Sequence, residues 1–341
     1  MASKIIMLDE KNFLIIAPSW IGDLVISQSL LIQLKSEHPN CRIDVIARDE
    51  LHPIISLMPE VNKIYPLNIE HGSFGFLKRL QLANRLKKNF YTTSFVLPNS
   101  YKSALIPWMA GIPKRIGYLR EFRHILINKK YKYIKHSYTM ANRYLKLADY
   151  EYTNQIKPQL NIKEEENQKV IKKFNINIEK KIIILCPDAE YGEAKKWPIN
   201  KWIHLSKSFD KNEHDLYFLG KDKSIDIEIE KLCIQENIFS LINETTLSEV
   251  ISLLNLSSLV ISNDSGLMHV AASVNTNIIA IFGSTSPFYT PPLIDSHQGE
   301  IIYKQLDCSP CFKKTCPLGH LNCLNKISSE EVFESTRKYL L

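Results

Sequence analysis

The sequence predicts an α/β protein with two doubly wound domains that face one another across a cleft. Three observations predict this fold class. Short apolar runs alternate with helix-like stretches, the alternation restarts after a polar segment in mid-chain, and 341 residues are too many for one small core. At about 150 residues per domain, length alone favours two domains. Strands that alternate with helices are joined by crossovers, which implies parallel sheets.

Each half supplies its own series of elements. In the first half we expect strands at 13–17, 42–47 and 94–97 and helices at 23–34 and 76–88. The Lys-, Glu- and Asn-rich segment 154–181 predicts a linker and a surface helix. In the second half we expect strands at 182–186, 215–219, 259–262 and 278–282 and helices at 200–209, 225–235, 247–254 and 267–273. A Ser-Ser-Glu-Glu cap signal predicts a last helix at 329–341.

Composition excludes several classes of protein. With 45% hydrophobic and 23% charged residues, the chain is neither disordered nor fibrous. No apolar run reaches the roughly 18 residues of a membrane-spanning helix, and Asp9 interrupts the apolar start too early for a secretory signal. We therefore expect a soluble, cytoplasmic protein. The net charge of +7 suits an anionic partner, whether nucleotide, phosphorylated substrate, membrane surface or nucleic acid.

The loop 17–23 joins the first predicted strand to its helix and is the first candidate site. Asp23 lies at the helix start, where it could be a catalytic base. Local sequence alone favours the simpler interpretation, in which Asp23 is the helix N-cap. Ser19 and the large, apolar Trp20 in a loop that should be exposed favour a functional role.

The segment 262–269 also joins a strand to a helix. Its Ser/Gly-rich turn offers backbone N–H groups and the positive end of a helix dipole, which suit a pyrophosphate. Asp264 or Ser265 could simply cap the helix, and His269 could reach either a ligand or the core. The segment lacks the G-x-G-x-x-G pattern, which counts against a dinucleotide dehydrogenase.

Two lysines end the long loop 187–198, just before a helix that begins with proline. Lys195 or Lys196 could neutralise charge on a phosphate leaving group. The alternative is a pair of solvated lysines, the usual environment of this residue. Gly220 and Lys221 follow the next predicted strand and could meet a nucleoside, or could form an ordinary turn.

A basic region follows the strand at 94–97. It begins with Asn99 and Lys102 in the segment 97–104. Its other cations are Arg115, Arg120, Arg123, His124, Lys132, Lys135, His136 and Arg143. Arginine suits phosphate and carboxylate ligands, but a generic basic face is an equally good interpretation.

Four of the seven cysteines lie close together near the end of the chain: Cys308, Cys311, Cys316 and Cys323. With His320 they could bind zinc, although the irregular spacing is a weaker signal than paired C-x2-C motifs. Reduced structural thiols or a disulfide are the favoured alternative.

Taken together, these motifs resemble the ADP-heptose-dependent lipopolysaccharide heptosyltransferases of glycosyltransferase family 9. The segments that carry the resemblance are 19–23, 97–117, 189–198, 263–272 and 308–316. The Asn-Ser-x-Lys-Ser-Ala and Cys-Ser-Pro-Cys-Phe segments are closer to type II than to type I enzymes. The resemblance implies a GT-B fold. Residues 1–160 would form an acceptor domain, 161–327 would form a sugar-nucleotide domain, and a final helix at 328–341 would return to the first domain.

The resemblance also implies the chemistry. An inverting transfer would move L-glycero-D-manno-heptose from ADP-heptose to the heptosyl inner core of a phosphorylated lipid A precursor. Asp23 would be the general base and Lys195 would contact the donor phosphates. The other implied donor contacts are Ser265, Gly266, Leu267, His269, Gly220 and Lys221. The implied acceptor contacts are Ser19, Trp20, Asn99, Lys102, Arg120 and Arg123.

The resemblance implies no tightly bound cofactor and leaves a divalent cation open. It places the protein at the cytoplasmic face of the inner membrane, in peripheral contact with it, and without a nucleic acid partner. Type I or type III acceptors remain alternatives, as does a non-catalytic sugar-nucleotide-binding protein. Asp188 and Glu193 are acidic residues near the expected phosphate site, where their charge would be unfavourable unless they point away.

Overall fold

The computed structural model describes residues 11–69, 73–135, 138–151, 153, 156–231 and 237–340. The chain divides into two compact units, the first ending at Ile156 and the second beginning at Lys157. The boundary predicted after residue 160 is therefore a few residues late. Leu160 already donates its backbone N–H to Ser273 O at 2.9 Å, and Lys157 pairs with Asp295, so both belong to the second unit.

The first unit is built on a six-stranded parallel sheet in the order β3-β2-β1-β4-β5-β6. Its strands are β1 (Asn12–Ile16), β2 (Arg42–Ala47), β3 (Lys63–Pro66), β4 (Thr93–Val96), β5 (Lys114–Leu119) and β6 (Lys129–Lys132). Its helices are α1 (Ile21–Glu37), α2 (His52–Ile55), α3 (Phe76–Leu86), α4 (Tyr101–Met109) and α5 (Met140–Lys146). The central strand β1 pairs with β2 and β4, and Leu14 on it is fully buried. Such burial on both faces explains its continuous apolar run.

The second unit repeats this plan with the order β12-β11-β10-β7-β8-β9, again all parallel. Its strands are β7 (Lys181–Cys186), β8 (His214–Phe218), β9 (Ile238–Ser240), β10 (Leu259–Asn263), β11 (Asn277–Phe282) and β12 (Gly299–Tyr303). Its helices are α6 (Glu164–Phe174), α7 (Ile199–Ser206), α8 (Lys223–Glu230), α9 (Leu247–Leu256), α10 (Gly266–Ser273), α11 (Asn322–Asn325) and α12 (Ser329–Leu340).

Both sheets follow the order 3-2-1-4-5-6 when the strands of each unit are counted from its own first strand. In this doubly wound arrangement the direction of winding reverses between the first and fourth strands. Ligands bind at that switch point, beyond the carboxyl ends of the strands. The switch points lie between β1 and β4 and between β7 and β10. The two doubly wound units predicted from the sequence are confirmed.

The C-terminal helix α12 packs within the second unit. Its buried Val332 belongs to the core of that unit, and Phe333 meets Phe209 edge-on with ring centroids 5.2 Å apart. Ser329 Oγ donates to Lys201 O at 3.1 Å. These described contacts place the helix against the core of the second unit, and the return of residues 328–341 to the first domain stays a prediction. Its amphipathic pattern predicted a buried face but did not identify the surface that buries it.

All the strands that we predicted from apolar runs are present, whereas five short strands were not predicted. These are β3, β5, β6, β9 and β12. Strand β6 has the sequence KKYK and lies at a sheet edge, so it has no apolar run to reveal it. Helix α8 ends at Glu230, and the later part of the helix predicted at 225–235 extends into residues outside the described ones.

Among the described residues, no helix combines the length and the apolarity that are needed to cross a bilayer.

Candidate active site

The switch point of the second unit brings together two of the loops predicted to be functional. The loop 187–198 follows β7, and the turn before α10 follows the neighbouring strand β10. Asn263, fully buried at the end of β10, donates from Nδ2 to Pro187 O at 2.6 Å. Its Oδ1 accepts the backbone N–H of Trp197 at 3.1 Å. One amide therefore ties both ends of the lysine-bearing loop to β10.

Lys195 lies against a buried carboxylate at this switch point. Its Nζ is 2.6 Å from Asp264 Oδ2, with side chains 13% and 4% exposed respectively. Thr285, from the loop after β11, donates its hydroxyl to the same carboxylate oxygen. Loops that follow β7, β10 and β11 thus meet at one ion pair, and the lysine compensates a charge that would be costly to bury alone.

From the sequence alone, we interpreted Asp264 only as a possible cap of α10, and this interpretation is wrong. Ser265 occupies the N-cap position of α10, in an extended conformation. Asp264 precedes it and directs its carboxylate to Lys195 and Thr285. No local signal distinguishes a cap from such a long-range partner, because the lysine lies on a separate loop.

The first turn of α10 is composed of the predicted pyrophosphate contacts. Gly266 and Leu267 begin the helix, and no described side chain caps its N-terminus. The free N–H groups of this turn and the positive end of the helix dipole can therefore receive an anion.

His269 lies one turn into α10 and is buried. Burial lowers its pKa to about 4; the charge of Asp264 opposes this shift and the charge of Lys195 adds to it. The imidazole is therefore neutral at pH 7. It can donate one hydrogen bond to a ligand oxygen, but it adds no positive charge to the site.

Lys196 has surroundings unlike those of Lys195. Its Nζ lies 2.7 Å from Asp222, 2.9 Å from Glu193 and 3.8 Å from Asp188. Burial opposes its charge, but the hydrogen bonds to Asp222 and Glu193 prevail and raise its pKa. The same Lys196 hydrogen bond is the main reason why the pKa of Asp222 falls to about 2. Lys196 is thus held by three carboxylates, whereas among the described residues Lys195 has one ion-pair partner, Asp264.

The two acidic residues that appeared unfavourable in the sequence have structural partners. Asp188 accepts the backbone N–H of Ala189 at 2.7 Å and that of Lys221 at 3.1 Å. Glu193 pairs with Lys196. Asp188 therefore joins the turns after β7 and β8, which brings Gly220 and Lys221 to the same edge of the sheet.

In the first unit, the loop after β1 carries Ser19 and Trp20 and leads into α1, whose first turn carries Asp23. Trp20 occupies the N-cap position of α1 and is 54% exposed. Asp23 is the third residue of the helix, so it is not the cap that local sequence favoured. A carboxylate in the first turn is stabilised by the helix dipole. Asn99 follows β4, the strand beside β1, and so lies at the same switch point.

Arg123 lies beneath this region and not on its surface. It is 0% exposed and donates to Pro98 O at 2.7 Å, Ser100 O at 3.2 Å and Tyr118 O at 2.5 Å. Burial lowers its pKa to about 10. The direct acceptor contact expected of Arg123 is therefore corrected: the guanidinium holds the loop after β4 in place. The sequence showed a basic cluster but not which of its members is buried.

Of the two other predicted acceptor cations, Lys102 is partly exposed and Arg120 is exposed. The Lys102 ammonium lies 3.3 Å from Ser73 O and 6.0 Å from the ring centroid of Phe74. The guanidinium carbon of Arg120 lies 4.6 Å from the ring centroid of Tyr133. Lys102 is the second residue of α4, and Arg120 follows β5. Both therefore lie near the carboxyl edge of the first sheet.

The cysteine-rich segment lies against the second site. Cys308, Cys311, Cys316 and Cys323 are all free thiols, and with His320 they line a cavity of about 20 Å³. Among the described residues, no three His, Cys, Asp or Glu side chains are arranged to hold a metal ion. The geometry therefore gives the zinc interpretation no support.

Comparisons with known proteins show the family of the chain. Residues 79–322 match the model of glycosyltransferase family 9 (heptosyltransferase). The lipopolysaccharide heptosyltransferase 2 of Escherichia coli is 34% identical, over 97% of this chain and 99% of its own. The lipooligosaccharide heptosyltransferase 2 of Haemophilus influenzae is 38% identical, over 83% of this chain and 86% of its own.

Solved structures show the same fold. The E. coli ADP-heptose lipopolysaccharide heptosyltransferase II aligns with a TM-score of 0.82 and 32% identity, over 96% of this chain and 98% of its own. A family 9 glycosyltransferase from Veillonella parvula gives the same TM-score at 17% identity, over 98% of each chain. The expected GT-B fold class is confirmed, and the chain belongs to glycosyltransferase family 9, the heptosyltransferases.

Proposed function

We propose that this glycosyltransferase moves L-glycero-D-manno-heptose from ADP-heptose to the heptosyl inner core of a phosphorylated lipid A precursor, with inversion. The observation that carries the proposal is the Lys195–Asp264 pair beside the open first turn of α10. Relatives whose names specify heptosyltransferase 2 match nearly the whole chain, which supports this donor and acceptor over the type I and type III alternatives.

The donor would bind at the carboxyl edge of the second sheet. Ser265, Gly266 and Leu267 would offer backbone N–H groups to the pyrophosphate, and neutral His269 would donate a hydrogen bond. Lys195 would supply positive charge as ADP departs, which stabilises a leaving group without protonating it. Gly220 and Lys221, held beside this edge by Asp188, would contact the nucleoside.

The acceptor would bind at the carboxyl edge of the first sheet. Asp23 would accept the proton of the attacking hydroxyl, because an inverting displacement needs one base on the face opposite the leaving group. Ser19, Trp20 and Asn99 would line the acceptor site. The partly exposed Lys102 and the exposed Arg120 would meet phosphates and sugar-acid carboxylates, and Arg123 would fix the loop beneath them.

No tightly bound cofactor is part of this proposal. The protein would act at the cytoplasmic face of the inner membrane, because its acceptor is a lipid. Anionic headgroups would attract the basic first unit.

The test is a transfer assay with purified protein, ADP-heptose and two truncated acceptors, one with and one without the first heptose. We expect product only with the acceptor that already carries a heptose. Product only with the acceptor that lacks it would identify a type I enzyme. If ADP-heptose binds but neither acceptor reacts, the acceptor assignment is wrong.

A further inference from the structure

The cysteine-rich segment 308–316 is bonded directly to the loop that carries Lys195. Ala194, next to that lysine, donates its backbone N–H to Lys314 O at 2.9 Å. Tyr191 Oη donates to Phe312 O at 2.8 Å, and Phe312 N–H donates to Ser284 O at 2.7 Å. The segment therefore bridges the loops that follow β7 and β11, two of the three that form the ion pair at Asp264.

The approach of the two loops is close enough to require glycine. Gly192 has φ +150°, and a Cβ on it would lie 2.6 Å from Lys314 O. Any side chain there would push the segment away from the lysine loop. The close contact between Lys314 and this loop therefore depends on glycine at position 192.

Two ammonium groups lie by the same aromatic ring. Lys195 Nζ is 5.1 Å from the ring centroid of Tyr191, and Lys314 Nζ is 5.9 Å from it. Both distances are within the range of a cation–π contact. Lys314 is exposed, and in the described part of the chain no carboxylate lies within 4.0 Å of its ammonium. Its charge is free to meet a ligand.

The charge balance of the site explains why another cation is needed. Lys195 is paired with Asp264, and Lys196 with Asp222 and Glu193, so carboxylates outnumber the lysines bound to them. A diphosphate brings further negative charge to this edge of the sheet. Backbone N–H groups of α10 can bind its oxygens but carry only partial charge.

We infer that Lys314 is a second phosphate-binding cation of the donor site, held there by the cysteine-rich segment. This inference rests on the proposed function, because it assumes a nucleoside diphosphate at α10. It gives the segment 308–316 a role that does not depend on metal or thiol chemistry. Lys314 would contact the phosphates, and Tyr191 and Gly192 would position it.

The experiment is calorimetric titration of the full-length protein with ADP and with adenosine, in EDTA so that no divalent ion replaces the lysine. Lys314→Ala should weaken ADP binding roughly tenfold, as loss of one charge-assisted phosphate contact does, and leave adenosine binding unchanged. Lys314→Arg should retain most of the affinity for ADP. The matched control is Lys313→Ala, which removes an exposed neighbouring lysine with no described contact to the ring and should bind ADP as the wild type does.

Four results would overturn the inference. Unchanged ADP affinity in Lys314→Ala would show that the lysine does not reach the phosphates. Equal losses of affinity for ADP and adenosine would show that the substitution disturbs the structure of the site. Equal losses of ADP affinity in Lys314→Ala and Lys313→Ala would show a non-specific effect of surface charge. A wild-type protein that binds no ADP would refute the proposed donor and this inference together, whereas tight wild-type binding with an unaffected variant refutes the inference alone.

Discussion

The two units share one strand order but use their switch points differently. In the second unit the lysines are paired with carboxylates, as Lys195 is with Asp264, and loops after three strands converge on that pair. In the first unit, the buried cation Arg123 is bonded to backbone carbonyls, and the candidate base Asp23 lies in the first turn of a helix. The second site is organised by charge pairs and the first by loop anchoring, so mutations in the two should have different consequences.

The largest expected effect is at the first site. Asp23→Asn keeps the shape of the side chain but removes the base, so we expect transfer to fall about a thousandfold. The ADP affinity should stay at the wild-type value, because the donor would bind at the second unit. The thermal midpoint should fall only slightly, because the interaction of one carboxylate with the helix dipole is small. Measurement of kcat, melting temperature and ADP binding on one preparation checks all three. Retained transfer would rule out Asp23 as the base.

Substitutions at the second site should lower both the affinity for the donor and the rate of transfer. Lys195→Ala removes the cation beside Asp264, and we expect kcat/KM for ADP-heptose to fall about a hundredfold. Lys196→Ala is the matched control: its ammonium is held by Asp222 and Glu193, and the loss should be several-fold smaller. If Lys196→Ala has the larger effect, the phosphate ligand is the neighbouring lysine.

A double variant sharpens this test. Lys195→Ala leaves Asp264 buried without the cation that the described residues provide, which costs stability. Adding Asp264→Asn should recover part of that stability without restoring transfer. Urea unfolding of both variants, read beside kcat/KM, separates the structural part of the ion pair from its chemical part.

The same contrast explains what the sequence could predict. Strands such as β1 and β7 are buried on both faces, so their apolar runs identified them, and the loops that follow them identified the candidate sites. Strand β6, with three lysines among its four residues at a sheet edge, carries no such run. The Lys195–Asp264 pair and the burial of Arg123 depend on segments far apart in the chain, and no local pattern encodes such contacts.

Because Arg123 anchors the loop after β4, its substitution should change KM for the acceptor but not KM for ADP-heptose. Arg123→Lys keeps the positive charge but cannot donate to Pro98, Ser100 and Tyr118 at once. Because buried carbonyls would lose donors, we expect the free energy of unfolding to fall by about 2 kcal/mol. KM for the acceptor should rise while KM for ADP-heptose stays constant. An equal rise in both would mean that Arg123 acts on the whole enzyme and not on the acceptor loop.

A pH-dependent effect is expected at His269 in the second site. Its pKa is about 4 in the folded protein, below the ordinary value of 6.5, because burial disfavours the charged ring. Between pH 6.5 and about 4 the unfolded chain takes up a proton that the folded chain refuses, so stability is complete above pH 6.5 and is lost as the pH falls. We expect this residue to contribute a slope of about 1 kcal/mol per pH unit in that window, and His269→Gln to remove it. Urea unfolding at pH 7.0, 5.5 and 4.5 measures the slope, and equal slopes in both proteins would contradict the burial argument. Affinity for ADP-heptose gives the complementary test, because its two phosphates are diesters and do not titrate near pH 6.5. A neutral hydrogen-bond donor at His269 predicts no change in that affinity near pH 6.5, whereas a histidine that binds phosphate as a cation would lose affinity as the pH rises through that value.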